Sequence, residues 1–194
     1  MSSHHIVREN QEPALVVVDV ADVPVPVIQE LLEWSPQIIV CERALEEVLK
    51  WDIKLDVVIV PEHKRSQWLA ALQHQAPVKV LTHAAHEAPW TTAFYLLKSL
   101  NQKSVQVIGL RPSEAGHLPD GLEISCLHKN VRWTYQSTGV FEKWLPAGVR
   151  LEVLGVDVVI SGLCEEGVTA RQGLVRVTGS SPYWVGEHLQ ATTA

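Results

Sequence analysis

Two short polar stretches in the first third of the chain carry side chains that could do chemistry. Cys41-Glu42-Arg43 follows an apolar run at residues 38–40, and Pro61-Glu62-His63-Lys64 follows a β-branched run at residues 57–60. Unbroken apolar runs are typical of strands covered on both faces, as in a parallel sheet. Because ligands of open parallel sheets bind at the carboxyl ends of strands, we expect a site in these two loops.

Histidines in the predicted loops offer a second kind of chemistry. Four of them are predicted at the same edge of the sheet: His63, His83, His86 and His117. Such a cluster can bind Zn²⁺ together with a carboxylate such as Glu62 or Glu87. The alternative is that they are polar loop residues that hold no metal, and this is the interpretation we adopt.

The elements that would position these loops alternate between strand and helix up to residue 110. Apolar runs at residues 14–20, 38–40, 57–60, 78–81 and 104–110 predict strands. The segments between them place apolar residues at helical spacing, so the order predicts an α/β fold with a parallel, Rossmann-like sheet. Asp19 and Asp22 follow the first run, either as site residues or as loop residues that end the strand.

The pattern changes after a Gly- and Pro-rich loop at residues 111–121. Short β-prone runs separated by glycine-containing turns follow at residues 122–127, 131–136, 150–154, 156–160, 168–170 and 174–178. This spacing predicts an antiparallel β-sandwich or half-barrel. We therefore predict two domains, an α/β domain at residues 1–125 and a β-sandwich domain at residues 126–194.

Charge and composition exclude several classes of protein. The formal net charge of the 194-residue chain is −6, and the chain has no basic stripe, so we expect no nucleic-acid partner. No apolar run approaches the length of a membrane span, and residues 1–13 lack the apolar core of a signal peptide. Three widely spaced cysteines without paired CxxC motifs argue against a disulfide framework and indicate a reducing compartment, the cytoplasm.

Several short strings, in this order of elements, resemble those of the thiamine pyrophosphokinase family. Glu42 stands where the family has the aspartate of Asp-Gly-Gly-Ala, and Asp52-Ile53-Lys54-Leu55-Asp56 is similar to its Ile-Lys-Pro-Asp segment. The string at residues 60–64 replaces Gly-Asp-Phe-Asp-Ser, and residues 85–89 replace Lys-Asp-x-Thr-Asp. His117 matches the histidine of Gly-Gly-Arg-x-Asp-His, and Ser161-Gly162 resembles a late Ser-Asn pair.

The resemblance implies a fold, a reaction and an assembly. The family joins an α/β nucleotide-binding domain to a β-sandwich that helps to bind thiamine and forms a homodimer. Its members transfer diphosphate from ATP to thiamine with Mg²⁺, giving AMP and thiamine diphosphate. By position, the catalytic residues implied here are Glu42, Glu62 and Glu87. The implied substrate-binding residues are Arg43, His63, His86, His117 and Ser161.

The residues at the motif positions predict weak or lost catalysis. The family's metal-binding aspartates are replaced by Pro61, His63, His86 and Pro89. Proline offers no ligand, and imidazole suits zinc or copper better than magnesium. The alternatives are a non-catalytic homodimer that binds a nucleotide or thiamine, and a structural dimer without a ligand. Three tryptophans of the second half could stack on thiamine or build the dimer core, which we favour: Trp133, Trp144 and Trp184.

Overall fold

A computed structural model describes residues 12–33, 37–116, 118–164 and 167–189 of the chain. Five strands alternate with four helices in its first part, as predicted. The strands are β1 (Ala14–Val17), β2 (Ile38–Cys41), β3 (Val57–Pro61), β4 (Lys79–His83) and β5 (Ser104–Ile108). The helices are α1 (Val25–Leu32), α2 (Glu42–Leu49), α3 (Arg65–Ala71) and α4 (Pro89–Ser99).

These five strands and β6 (Glu123–His128) form the parallel part of a nine-stranded sheet, in the order β4-β3-β2-β1-β5-β6. Successive residues of a strand point to opposite faces, so a strand buried on both faces must be apolar throughout. Val16 packs into a cluster with Phe94 of α4, whereas Val17 packs into the cluster that contains Leu45 of α2. The parallel sheet therefore lies between α4 on one face and α1, α2 and α3 on the other.

The second half of the chain builds two sets of antiparallel strands. They are β7 (Val131–Gln136), β8 (Gly139–Leu145), β9 (Leu151–Leu154), β10 (Val158–Ser161), β11 (Gly173–Gly179) and β12 (Tyr183–His188). The large sheet continues beyond β6 through β7, β12 and β9, while β10, β11 and β8 form a separate sheet. Val175 and Val177 of the small sheet share a buried cluster with Tyr183 and Val185 of the large sheet.

Several strand assignments differ from those predicted. Residues 122–127 were expected in the antiparallel part, but β6 pairs in parallel with β5. The run at residues 168–170 contributes only an isolated bridge between Val168 and Arg150. Strands β8 and β12 were not predicted. In β8, polar and apolar residues alternate only weakly, and the strand is defined by its pairing with β11. The boundary between residues 125 and 126 falls inside β6, and the division into two domains stays a prediction.

Two of the three tryptophans expected at a dimer core lie inside this chain. Trp133 is 6% exposed and Trp184 is 7% exposed, and both pack in the cluster on the α4 side of the sheet. The ring of Trp184 lies 5.1 Å from that of Tyr135. The expectation was wrong for these two residues, and only Trp144, 66% exposed, remains available to a partner.

Among the described residues, no helix is long and apolar enough to cross a membrane.

Candidate functional site

The strand order places a crevice between the carboxyl ends of β1 and β5. From β1 the chain builds the sheet outward through β2, β3 and β4, and then returns to place β5 on the other side of β1. The loops after β1 and β5 therefore leave the sheet in opposite directions and open a gap, which is where doubly wound sheets bind ligands.

The crevice has a volume of ≈130 Å³, enough to enclose one phosphate group or a small ring of a larger ligand. Its polar and aromatic lining comes from five parts of the chain: Asp19, Asp22, Arg43, Trp90, Arg111, Glu114 and His128. Trp90 lies in the first turn of α4, where Pro89 occupies a position that needs no backbone N–H.

Asp19 is the carboxylate that the fold holds most firmly in the crevice. Its Oδ1 atom accepts a hydrogen bond from the N–H of Ala21 at 3.0 Å, which fixes the turn after β1. Its Oδ2 atom lies 2.8 Å from Nη2 of Arg43, at the start of α2. The carboxylate side chain is 23% exposed and the arginine side chain is 75% exposed, so Arg43 can leave the pair more easily than Asp19 can move.

Gly109 sets the width of the crevice at its base. Its φ angle is +80°, a conformation that costs a residue with a side chain free energy. A Cβ atom here would lie 2.0 Å from the carbonyl oxygen of Asp19. The N–H of Gly109 donates to the carbonyl of Leu127 at 2.9 Å, so this glycine joins the ends of β1, β5 and β6.

His128, the last residue of β6, presents a neutral imidazole to the crevice. Burial, followed by the positive charges of Arg111 and Lys129, lowers the pKa of His128, against the opposing effect of Asp22 and Glu114. Its Nδ1 atom is buried and has no hydrogen-bond partner. Nη1 of Arg111 lies 3.0 Å from Oε1 of Glu114 on the rim.

The carboxylates predicted from the motifs do not converge. Oε1 of Glu42 lies 2.6 Å from Nζ of Lys64, a pair that joins the start of α2 to the turn after β3. Glu62 is exposed in a 3-10 turn at Glu62–Lys64, and Glu87 is exposed in the loop between β4 and α4. Of the predicted site residues that the structure describes, only Arg43 lines the crevice.

The other predicted site residues are spread over the molecule. His63 and His86 are exposed in the two loops beyond β3 and β4. Ser161 ends β10 in the separate sheet, opposite Arg176. His117 lies outside the described residues. Across residues 12–33, 37–116, 118–164 and 167–189, no group of three or more histidine, cysteine, aspartate or glutamate side chains could hold a metal ion.

Sequence reasoning missed several residues that line the crevice. Arg111 and Glu114 follow the fifth predicted strand, so the rule that pointed to Glu42 and Glu62 would also have indicated them. His128 carried no such signal, because its place at the carboxyl edge depends on β6 being parallel to β5.

Comparison with solved structures shows which proteins share this fold. The thiamine pyrophosphokinase of Bacillus subtilis matches with a TM-score of 0.63 and 9% identity, over 92% of this chain and 100% of that one. The enzyme of Geobacillus thermodenitrificans matches with a TM-score of 0.65 and 8% identity, over 93% and 98% of the two chains. The enzyme of Candida albicans matches with a TM-score of 0.61 and 8% identity, over 92% and 90%.

No family model and no curated protein sequence matches the chain. The likeness to solved structures nevertheless spans almost the whole chain, so the fold is that of the thiamine pyrophosphokinases. The resemblance suggested by the sequence is thus confirmed at the level of the fold, with very little sequence in common. Fold alone does not define an activity.

Proposed function

We propose that this chain is a divergent thiamine pyrophosphokinase-like protein that binds a nucleotide or a related ligand, with diphosphate transfer weak or lost. The observation that carries the proposal is the pairing of the acidic side chains at the carboxyl edge. Asp19 forms a salt bridge of 2.8 Å with Arg43, and Glu42 forms one of 2.6 Å with Lys64.

These pairs oppose the binding of Mg²⁺. Magnesium takes oxygen ligands, commonly one or two carboxylates completed by water and phosphate. A carboxylate that already contacts a guanidinium or ammonium group must lose that contact before it can bind a cation. Glu62 and Glu87, the remaining candidates from the motifs, are exposed and lie on different loops, and Asp22 adds one further carboxylate in the crevice. The donor set therefore does not fit the metal, and diphosphate transfer depends largely on such positioning and charge neutralisation.

The crevice retains features that suit a nucleotide without turnover. Arg43 and Arg111 place two guanidinium groups on its rim, and guanidinium groups can bind phosphate through two hydrogen bonds. The indole of Trp90 offers a surface on which a ring can stack. Asp22 and the neutral imidazole of His128 add hydrogen-bonding groups at the same place.

Turnover and binding can be measured separately. We expect no brisk formation of AMP and thiamine diphosphate from ATP, Mg²⁺ and thiamine. We expect ATP or AMP to raise the melting temperature, because a ligand that binds only the folded state stabilises it. Brisk turnover would show that Glu62 or Glu87 has taken over the metal, and would contradict the loss of catalysis. Absence of any shift would contradict ligand binding.

A pair of variants locates the binding. Arg43→Gln should reduce the shift caused by ATP or AMP, because it removes a rim cation from the crevice. Arg171→Gln is the matched control, since Arg171 is exposed in the second half of the chain and does not line the crevice. An equal effect of both substitutions would mean that the nucleotide binds elsewhere.

The proposed assembly is a homodimer formed by the small sheet of the C-terminal β region. Three apolar side chains on the outward face of this sheet support the proposal: Val140 is 52% exposed, Trp144 66% and Leu174 48%. Trp144 and Leu174 face each other across β8 and β11. Burial of such side chains against a second copy would remove apolar surface from water.

Light scattering coupled to gel filtration tests the assembly. A dimer is expected for the native chain, and Trp144→Asp should shift it to monomer. Tyr95→Asp is the control, because Tyr95 on α4 is 68% exposed, slightly more than Trp144, and lies on another surface. A native chain that elutes as a monomer would refute the proposed dimer.

A further inference from the structure

A second, larger cavity lies at the amino-terminal edge of β5 and β6, away from the crevice. Its volume is ≈700 Å³, within the range of small-molecule sites, roughly 300–1,000 Å³. Ser104 and Glu123, the first residues of β5 and β6, line it together with Gln136, the last residue of β7. We call this cavity the polar trench.

The floor of the polar trench is a row of uncharged polar side chains on three adjacent strands. Gln106 of β5 lies opposite Ser125 of β6, and Ser125 lies opposite Thr134 of β7. The residues that alternate with them, such as Val105 and Ile124, are buried in the cluster on the α4 side. The polar row therefore faces the other side of the sheet.

This row lies on a sheet face that is otherwise apolar. On the same face, Ile108 and Leu127, two residues further along β5 and β6, are buried in the cluster beneath α1 and α2. In β12, Val185 stands directly opposite Thr134 and is buried against the small sheet. The sequence thus changes to hydroxyl and amide side chains at the edge of the helical layer, where Leu31 of α1 borders a small cavity with Gln106 and Ser125.

The three side chains of the row are half-buried. Within the part of the chain that the structure describes, the side chains of Gln106, Ser125 and Thr134 make no hydrogen bond to another residue. Partly buried polar groups are usually satisfied by protein, water or ligand. Because no described residue does so here, water or a ligand in the polar trench is left to satisfy them.

We propose that the polar trench binds a small neutral polyhydroxylated ligand, such as a monosaccharide or disaccharide. Hydroxyl and amide groups both donate and accept hydrogen bonds, as sugar hydroxyls do. The row carries no formal charge that could offset the cost of desolvating a charged ligand. An apolar ligand would leave the polar groups of the row without hydrogen bonds. Two strand spacings give the row a length of about 10 Å, comparable to a disaccharide.

The charged side chains nearest the row lie around it, and Arg132 of β7 lines a small adjoining cavity with Gln106 and Ser125. Lys103, Asp120 and Glu123 line the polar trench, and all three are exposed. They can contact a ligand at its ends without changing the neutral character of the floor. This site does not depend on the nucleotide-binding crevice, which lies at the opposite ends of β5 and β6.

Saturation-transfer NMR on the full chain tests the proposal with a defined panel: D-glucose, D-ribose, N-acetyl-D-glucosamine, maltose and trehalose, each at millimolar concentration. At least one sugar should show transfer from the protein. Thr134→Val removes one hydroxyl but keeps the shape and strand preference of the side chain. It should weaken the binding of that sugar by about three- to tenfold, the loss of one hydrogen bond.

Thr178→Val is the matched control, because Thr178 is an exposed strand residue of the small sheet and does not line the polar trench. The Thr178→Val variant should bind the sugar with the same affinity as the native chain. The proposal is overturned if no sugar of the panel binds, or if Thr134→Val and Thr178→Val bind it equally. Displacement of the sugar by AMP would also overturn it, because the sugar would then occupy the crevice instead.

Discussion

Replacing Gly109 by alanine should destabilise the molecule at the point where three strand ends meet. The φ angle of +80° disfavours any side chain, at a cost of roughly 1–2 kcal/mol. The added Cβ would also lie 2.0 Å from the carbonyl oxygen of Asp19 and 2.6 Å from its carbonyl carbon. These are backbone atoms, so no rotation of a side chain can relieve the overlap.

The backbone overlap adds to the conformational cost. Overpacking of this kind costs typically 1–3 kcal/mol, so the two contributions together lower the free energy of unfolding by about 2–5 kcal/mol. For a chain of this size, each kcal/mol lowers the melting temperature by about 2–4 °C. The expected fall in melting temperature is therefore about 4–20 °C.

Urea unfolding measures this loss, and Gly148→Ala supplies the control. Gly148 has nearly the same φ angle, +82°, but a Cβ atom there would meet nothing within 4 Å. The Gly148→Ala variant should lose only the part of the unfolding free energy that comes from the unfavourable φ angle, roughly 1–2 kcal/mol. If Gly109→Ala costs no more than Gly148→Ala, the close approach of β1 and β5 is not what holds the base of the crevice.

Three further predictions concern the interior. Tyr183→Phe should lower the free energy of unfolding by about 1–3 kcal/mol. The buried hydroxyl accepts a hydrogen bond from an N–H of β8 and donates one to a carbonyl oxygen of β11 or β8. An unchanged midpoint of urea unfolding would refute this prediction. Burial raises the pKa of the Cys41 thiol to about 12 and also raises the pKa of the Cys126 thiol, so these thiols ionise first in the unfolded chain. The free energy of unfolding should therefore fall as the pH rises above about 8.5, by up to about 1.4 kcal/mol per pH unit for each thiol. An unfolding free energy that stays constant between about pH 8.5 and the raised pKa of Cys41 would contradict the burial of these thiols. Gly186→Ala should cost about 1–3 kcal/mol and change the tryptophan fluorescence, because its Cβ would lie 2.7 Å from the ring of Trp133; native-like stability and emission would show that the ring can move aside.

The α/β half of the fold was largely predictable because its signals are local. The apolar runs at β2 and β3 identify strands covered on both faces, and the spacing of Leu45 and Val48 identifies the helix between them. Pro89 correctly indicated the start of α4. These patterns follow from burial of each element against its immediate neighbours in sequence.

The second half was less predictable because its strands pair over long distances along the chain. β12 lies between β7 and β9, and β11 lies between β10 and β8, arrangements that no local periodicity encodes. Trp133 and Trp184 are an example, because they are buried in a structure in which β7 pairs with β12, which is distant in sequence. The roles assigned from the motif positions stay predictions, because position in a motif does not show where a side chain points.

By itself, the sequence determined an alternating α/β half, a β-rich second half, and carboxylates and cations in the loops after buried strands. Only the tertiary structure decided which of these side chains meet. Asp19 contacts Arg43, Gly109 touches Asp19 and His128 joins the same crevice, because β5 returns to pair with β1 and β6 continues in parallel beside it. The order of strands in a sheet depends on contacts distant in sequence, and that order places loop residues together or apart.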